Sequence, residues 1–422
     1  MNAEQFASSD PNARIAAAVL RLIFRDDFAR NFGVVLWDGT RIHAAAEERF
    51  VLRVNSDGAL RAALMPLFDL GAGRMFGAGL LDVDGDLERA VDALLRARAA
   101  MRGIDGLRLM RLLRRLPKVE LPTLREARLR GRIHSRRRDR AAIGFHYDHP
   151  LAFYRSFLDP EMSYSCAYWD EGVDTLDDAQ AAKIEYTLRK LRLAPGERLL
   201  DIGCGWGALL LSAARRGTRV LGITLSAPQL EEAQRRIAAA GLEDRARVEL
   251  RDYRDLQGEQ FDKIVSIGMF EHVGRARFGE YFAAAHAALR PGGLFMNHAI
   301  ADEGSGLRPG DFLGRFIFPD GELVPISESL HAAEAAGFEV RDVENLREHY
   351  TKTLRAWVTN LERNRTEAIA AAGETSYRLW RLYMAGSAQG FNAGRIGIYQ
   401  SLLAKPDGGR VALPPTRRDL YR

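Results

Sequence analysis

Two cysteines in 422 residues, Cys166 and Cys204, are too few for a disulfide framework or for a structural zinc site built on paired thiolates. They favour a reducing, cytoplasmic setting. No apolar run approaches the ~20 residues of a spanning helix. The stretch 1–30 lacks the basic-then-apolar order and small-residue cleavage site of a secretory signal, and Arg21 interrupts its one apolar run, IAAAVLRLIF. Any membrane contact is therefore expected from the water side, as peripheral association with the inner face. No group of His, Cys, Asp and Glu has the spacing of a metal site.

Net charge is also scarce, +5 from 61 basic and 56 acidic side chains, but it is unevenly placed. Residues 102–140 hold 14 Lys or Arg against 4 Asp or Glu, a surplus of 10, so the rest of the chain nets −5. Within this tract, RLMRLLRRL sets Arg108, Arg111 and Arg115 on one helical face and Leu109, Leu112, Leu113 and Leu116 on another. Pro117 and Pro122 end that helix, and REARLRGRIHSRRRDR is dominated by charge. A generic charge run is a solvated linker; the apolar face and single sign point instead to an anionic membrane surface, at ~1 kcal/mol per Lys or Arg. Nucleic acid is not expected, because no aromatic residue interleaves the run before Phe145.

At roughly 100–200 residues per domain the chain should hold two or three folding units. Helical spacing from Pro11 to about residue 30, strands in FGVVLWDG and RFVLRV, and helical spacing again over 60–75 and 86–101 predict a small α+β domain over 1–101. A basic amphipathic linker, 102–140, and a catalytic domain, 141–422, follow. From about Pro195 the rhythm is strand, helix, strand: RLLDIG, WGALLLSAARR, RVLGIT, PQLEEAQRRIAAA, ARVELRD, FDKIVSIG, FGEYFAAAHAAL, GGLFMNHAI. That alternation predicts an α/β fold with a doubly wound parallel sheet. Helices are expected over 328–336 and 353–386, and IGIYQSLLAK as a late edge strand.

LLDIGCGWG places an Asp and three glycines where the first of these strands turns into a helix, a turn that lets backbone approach a ligand at a helix N-terminus. Dinucleotide enzymes share such a turn, but they usually carry an acidic residue after the second strand, where this chain has Thr224-Leu225-Ser226. With GITLS, RDY and FDKIVSIGMFEHVG at the following intervals, the set resembles the S-adenosylmethionine methyltransferases. YSCAYW (164–169), MFEHVG (269–274), FIFPDGEL (316–323), HYTKTLRAW (349–357) and QSLLAKP narrow it: 147–406 resembles the cyclopropane-fatty-acid synthases and the mycolic acid methyltransferases.

The resemblance implies a Rossmann-like class I methyltransferase sheet with helical insertions. It implies S-adenosylmethionine as methyl donor, held among Tyr164, Ser165, Gly203, Gly205, Thr224, Leu225, Gln229, Asp252 and Tyr253. It implies transfer to the cis double bond of an unsaturated phospholipid acyl chain, with a bound bicarbonate ion as the base that allows ring closure. The residues matching the bicarbonate cradle are Cys166, Glu271, His298, the backbone of Ile300, and Tyr350. Homodimers are common in the family.

Taken alone, Cys166 reads as a small buried hydrophobe, His298 as a structural histidine, and Tyr350 with Trp357 as a helical core stripe; the motif matches assign them otherwise. His272, His286 and His331 are read as structural. Two departures, Ala299 where many synthases carry Thr and the glycine-rich stretch 302–311, leave open a lipid C-methyltransferase giving a methyl-branched or methylene product. A non-catalytic lipid- or nucleic-acid-binding module is the rival from another class, opposed by the intact Gly203, Gly205, Glu271, His298 and Tyr350.

Overall fold

The computed structural model describes residues 8–25, 28, 31–44, 48–65, 68–101, 103–120, 123–256, 258–303 and 311–421. Contacts divide the chain into two compact units. One comprises Met1–Glu126, Gly310–Phe316 and Arg365–Gln389; the other Ala127–Pro309, Ile317–Asn364 and Gly390–Arg422. The expected boundaries at 101 and 140 give way to this division for physical reasons visible in each unit.

In the first unit, helix α1 (Pro11–Phe24) starts where the Asp10 carboxylate accepts the Asn12 amide at 2.7 Å, with Pro11 at the opening position. A four-stranded sheet, order β2-β1-β3-β4, comprises β1 (Gly33–Leu36), β2 (Arg41–Ile42), β3 (Phe50–Val54) and β4 (Leu81–Gly85). The helix expected over 60–75 is two, α2 (Ala59–Leu64) and α3 (Phe68–Gly77), with 66–67 outside the described residues. After α4 (Leu87–Ala100), helix α5 (Gly103–Leu113) buries Leu109 and Leu113, and Leu116 beyond its end, while packing on α1 and α2. Its apolar face thus makes it part of this unit and not of a linker; Arg102, Leu121 and Pro122 of the tract lie outside the described residues.

Two late segments complete the unit. In α12 (Asp311–Phe316), the Phe312 ring lies where a Cβ on Gly73 would come within 2.2 Å. In α15 (Arg365–Asn392), broken at Gly373 (φ +84°), Arg378 pairs with Asp82 at 2.8 Å and Arg381 donates to the Val83 carbonyl at 3.2 Å. Residues 304–310, within the glycine-rich stretch 302–311, lie outside the described residues.

The second unit opens with α6 (Arg136–Tyr147), α7 (Leu151–Arg155) and α8 (Leu176–Lys190). The alternation that follows is β5 (Arg198–Ile202), α9 (Ala208–Arg215), β6 (Arg219–Thr224), α10 (Ala227–Ala240), β7 (Ala246–Leu250), β8 (Phe261–Ile267), α11 (Phe278–Ala288) and β9 (Leu289–Asp302). Then come α13 (Ile326–Ala335), β10 (Glu339–Asn345), α14 (Arg347–Arg363) and β11 (Ile396–Ala404). The seven strands lie in the order β10-β11-β9-β8-β5-β6-β7. The five from β5 to β9 are parallel; β11 adds antiparallel to β9, and β10 antiparallel to β11. One apolar layer joins the sheet to α8, α9 and α10; the other joins it to α11 and α13. This is the expected doubly wound α/β sheet.

One strand is not where its sequence suggested. β11 is not an edge strand: it pairs with β9 from Ile396 to Ala404 and with β10 on its other side, and both of its faces are largely buried. The edge is β10, whose EVRDVEN sequence carries little apolar signal and whose register shifts between Val340 and Asp342.

Candidate active site

The cavity opens at the carboxyl end of the parallel strands. At the end of β5 the chain turns through Gly203 (φ +82°) and Gly207 (φ +88°), left-handed conformations that a side chain would strain. The Gly203 and Cys204 amides both donate to the Ile223 carbonyl, at 2.9 and 3.1 Å, which fixes the loop against β6. Ser226 caps α10 by accepting the Gln229 amide, and Thr224 Oγ1 donates to Gln229 Oε1 at 2.8 Å. Tyr164, Ser165, Gly203, Gly205, Thr224, Leu225, Gln229 and Tyr253 all line the cavity.

Asp252 does not. It stands behind this wall with its carboxylate committed to Arg254: Oδ1 accepts the Arg254 amide at 3.0 Å and Nε at 2.8 Å, and Oδ2 accepts the other guanidinium branch at 2.6 Å. Those hydrogen bonds outweigh burial and hold its pKa below the usual range. Arg254 lines the cavity in its place and bridges to Asp139 at 2.9 Å.

One wall residue, Asp139, comes from the tract expected to be linker, and with Ile143 and Tyr147 at the start of the expected catalytic domain it makes one face of α6 at i, i+4 and i+8. The charge run around them obscured that spacing. His272, expected to be structural, also lines the cavity; burial, aided by His134, pushes its pKa down to about 4, so it is neutral at pH 7. Lys183 and Asp201 complete the polar part of the wall, both buried. Asp201 was visible in LLDIG; nothing around Lys183 marked it within its helix.

A second, drier cluster adjoins. Ile267 and Gly268 line the cavity, Ile267 is the register partner of His298, and the Gly268 amide donates to the His298 carbonyl at 2.9 Å. Met269 and His272, also in the wall, flank the turn that carries Glu271. Glu271 Oε1 accepts the Ile300 amide at 2.7 Å, and its Oε2 is buried without a hydrogen-bond partner. Burial raises the Glu271 pKa to about 7, the Ile300 amide opposing. His298 sits two residues before Ile300, on the same face of β9, with Nδ1 3.4 Å from the Gln400 side-chain nitrogen and Nε2 buried and unpartnered. Burial, then the charges of Lys183 and Lys190, push its pKa down to about 3.

Tyr350 and Cys166 meet at Leu346, whose carbonyl accepts the Tyr350 amide at 3.0 Å and lies 3.8 Å from Cys166 Sγ. The Leu346 amide in turn donates to the carbonyl of Ile398, the register partner of Ile300. Burial drives the Cys166 thiol far up, so it is a neutral donor and not a nucleophile. Ala299 is buried on β9 between His298 and Ile300. Among the described residues no group of His, Cys, Asp and Glu could hold a metal ion.

The sheet order, the left-handed glycine turn and the cavity beyond β5 and β6 define an S-adenosylmethionine-dependent methyltransferase of the Rossmann-like class I fold. Residues 134–401 match the family model of the mycolic acid cyclopropane synthetases, and the chain belongs to that family. It is 40% identical over 395 residues to a probable fatty acid methyltransferase of Pseudomonas putida, covering 92% of this chain and 95% of that one. To the cyclopropane-fatty-acyl-phospholipid synthase of Escherichia coli K12 it is 38% identical over 270 residues, covering 63% of this chain and 69% of that one. The crystal structure of the mycolic acid cyclopropane synthase CmaA1 complexed with SAH and CTAB aligns at a TM-score of 0.60 with 38% identity, covering 63% of this chain and 98% of that one.

Proposed function

We propose that this enzyme transfers a one-carbon unit from S-adenosylmethionine to the cis double bond of an unsaturated phospholipid acyl chain and closes a cyclopropane ring. The observation that carries this reading is the dry cluster beside the cofactor cavity, where Glu271 Oε2 and His298 Nε2 are buried and unpartnered. Such atoms cost free energy unless a ligand meets them.

Tyr164, Ser165, the 203–207 turn, Thr224 and Gln229 would hold S-adenosylmethionine, which supplies an electrophilic methyl group on a sulfonium. An alkene is a weak nucleophile, so the protein must align it and exclude water; positioning of this kind is worth ~7–11 kcal/mol. Methyl addition leaves positive charge on the neighbouring alkene carbon, and the Tyr350 ring, packed against Phe391 at 4.8 Å and Trp357 at 5.9 Å, offers that charge a π face. Ring closure then needs a proton removed from the added methyl. His298 is too weak a base at a pKa of about 3 and the Cys166 thiol stays protonated, so neither side chain serves. His298, Cys166, Tyr350 and the Ile300 backbone would hold a bicarbonate ion, which would supply that base. Glu271, poised near pH 7, takes up the proton.

The acyl chains are drawn from an anionic membrane surface, met peripherally from the cytoplasmic side. No described helix is long and apolar enough to cross a membrane. In α5, Ile104 and Leu107 are 62% and 66% exposed beside Arg108, Arg111, Arg114 and Arg115, whose guanidinium groups have no partner among the described residues. Exposed aliphatics with single-sign charge suit an anionic bilayer.

Incubating the enzyme with S-adenosylmethionine and monounsaturated phospholipid vesicles, followed by mass spectrometry of the released fatty acids, tests the reading. Chains one methylene heavier, with the double bond gone and no branch, are expected. A methyl-branched or methylene product would favour the second reading left open by Ala299; no mass gain on any lipid would end both.

A further inference from the structure

Helix α8 carries two buried lysines one heptad apart, Lys183 (3% exposed) and Lys190 (0%), and their surroundings differ sharply. Lys190 is met by two carboxylates, Asp342 at 3.4 Å and Glu344 at 2.5 Å, and lies over the Tyr186 ring. That is the usual condition for a fully buried lysine. Lys183 has no such match: among the described residues no carboxylate lies within ion-pair distance of its Nζ, which donates instead to Ser165 Oγ at 3.1 Å. Asp159, Cys166 and Asp201 act on it only across longer gaps. Asp159 is itself occupied by the Glu161 and Ser163 amides.

Lys183, Ser165 and Asp201 all open onto the cofactor cavity. A buried amine and a buried carboxyl, set in one cavity wall beyond ion-pair distance of each other, are complementary to the two charges of an amino-acid zwitterion. Because Lys183 donates to Ser165 Oγ, the Ser165 hydroxyl proton is left to donate to an incoming anion.

Resting on the cofactor reading above, we propose that Lys183 is the positioning residue for the α-carboxylate of the cofactor's methionine end, acting through Ser165, while Asp201 faces the α-ammonium. The pairing gives the lysine the counter-charge its burial otherwise lacks, and it anchors the end of the molecule remote from adenine. Burial pushes the Lys183 pKa down, and a bound carboxylate would hold it charged.

Calorimetric titration with two probes tests this: S-adenosylhomocysteine, which carries the amino-acid end, and methylthioadenosine, which lacks it. Lys183→Met should weaken S-adenosylhomocysteine about 10–100-fold and methylthioadenosine less than about threefold, since a hydrogen-bonded charge contributes at that scale. Retained methylthioadenosine binding also reports a folded site. Equal losses on both probes, or unchanged S-adenosylhomocysteine affinity, would overturn the proposal. So would a variant that keeps its S-adenosylhomocysteine affinity and needs more bicarbonate for half-maximal turnover, for the charge would then serve the Cys166 and His298 cluster. Failure of the unaltered enzyme to bind S-adenosylhomocysteine is a different result and would sink the cofactor reading itself.

Discussion

The basic tract contributes to two helices, α5 and the start of α6, and their arginines are used differently. Along α5 and just past it, Arg108, Arg111, Arg114 and Arg115 are exposed beside Ile104 and Leu107 and have no partner among the described residues. Along α6 three charges are committed: Arg136 to Asp255 at 2.7 Å, Arg138 to both Asp320 oxygens, and Asp139 to Arg254 at 2.9 Å, while Arg137 and Arg140 are exposed. The first set is available to a partner, and the second shapes a wall of the cofactor cavity. A surplus of positive charge in a sequence therefore has no single meaning; what separates the cases is whether carboxylates elsewhere in the fold meet it.

The largest expected effect lies on the α6 side. Arg254 is the shared counter-charge of Asp252 and Asp139, with only 7% of its side chain exposed, so Arg254→Met leaves two carboxylates without it. Loss of about 3–5 kcal/mol in denaturant unfolding is expected, with weakened S-adenosylhomocysteine binding; a loss under about 1 kcal/mol would remove the contrast with α5.

Next comes α5. Replacing Arg108, Arg111 and Arg115 together by Gln should cost about 3 kcal/mol of affinity for anionic vesicles, roughly a hundredfold, with stability within about 0.5 kcal/mol. Flotation and unfolding measured side by side check both, and equal falls in activity on vesicles and on dispersed lipid would make this face structural.

The smallest effect sharpens the contrast from within α6. Arg136 and Asp255 are 56% and 48% exposed, so Arg136→Gln should change stability by less than about 1 kcal/mol. Because its charge is already met, vesicle affinity should barely move; a loss equal to that of one α5 arginine would show that pairing does not silence a charge here.

Much of the second unit was legible in sequence because parallel strands buried on both faces read as apolar runs, as RLLDI and FDKIVSI do, and because the glycine turn has a local signature. β10 was missed, and β11 taken for an edge, because EVRDVEN offers only Val340 and Val343 as apolar signal and is held by pairing with β11. The sharing of Phe312 and Arg378 with the first unit depends on contacts far apart in sequence, which no local pattern reports. In the site, the motif residues stood out because a string carried them. Lys183 did not, since what singles it out is that no carboxylate among the described residues lies within ion-pair distance.

The central claim is that a dry cluster built on Glu271 performs the proton chemistry beside a separate cofactor cavity. Its pH behaviour follows from burial. The folded protein holds the Glu271 proton up to about pH 7, and the unfolded chain releases it in the ordinary carboxylate range. Glu271 therefore favours folding below that range and costs stability as pH rises through 7, whereas turnover, needing the carboxylate, should rise over the same interval.

The most direct test is Glu271→Gln, measured for turnover, for S-adenosylhomocysteine affinity and for stability at pH 8. Turnover is expected to fall about 10²–10⁴-fold, with cofactor affinity within about threefold and stability raised by ~1–3 kcal/mol. Unchanged turnover with normal affinity would contradict the claim and remove Glu271 from the chemistry.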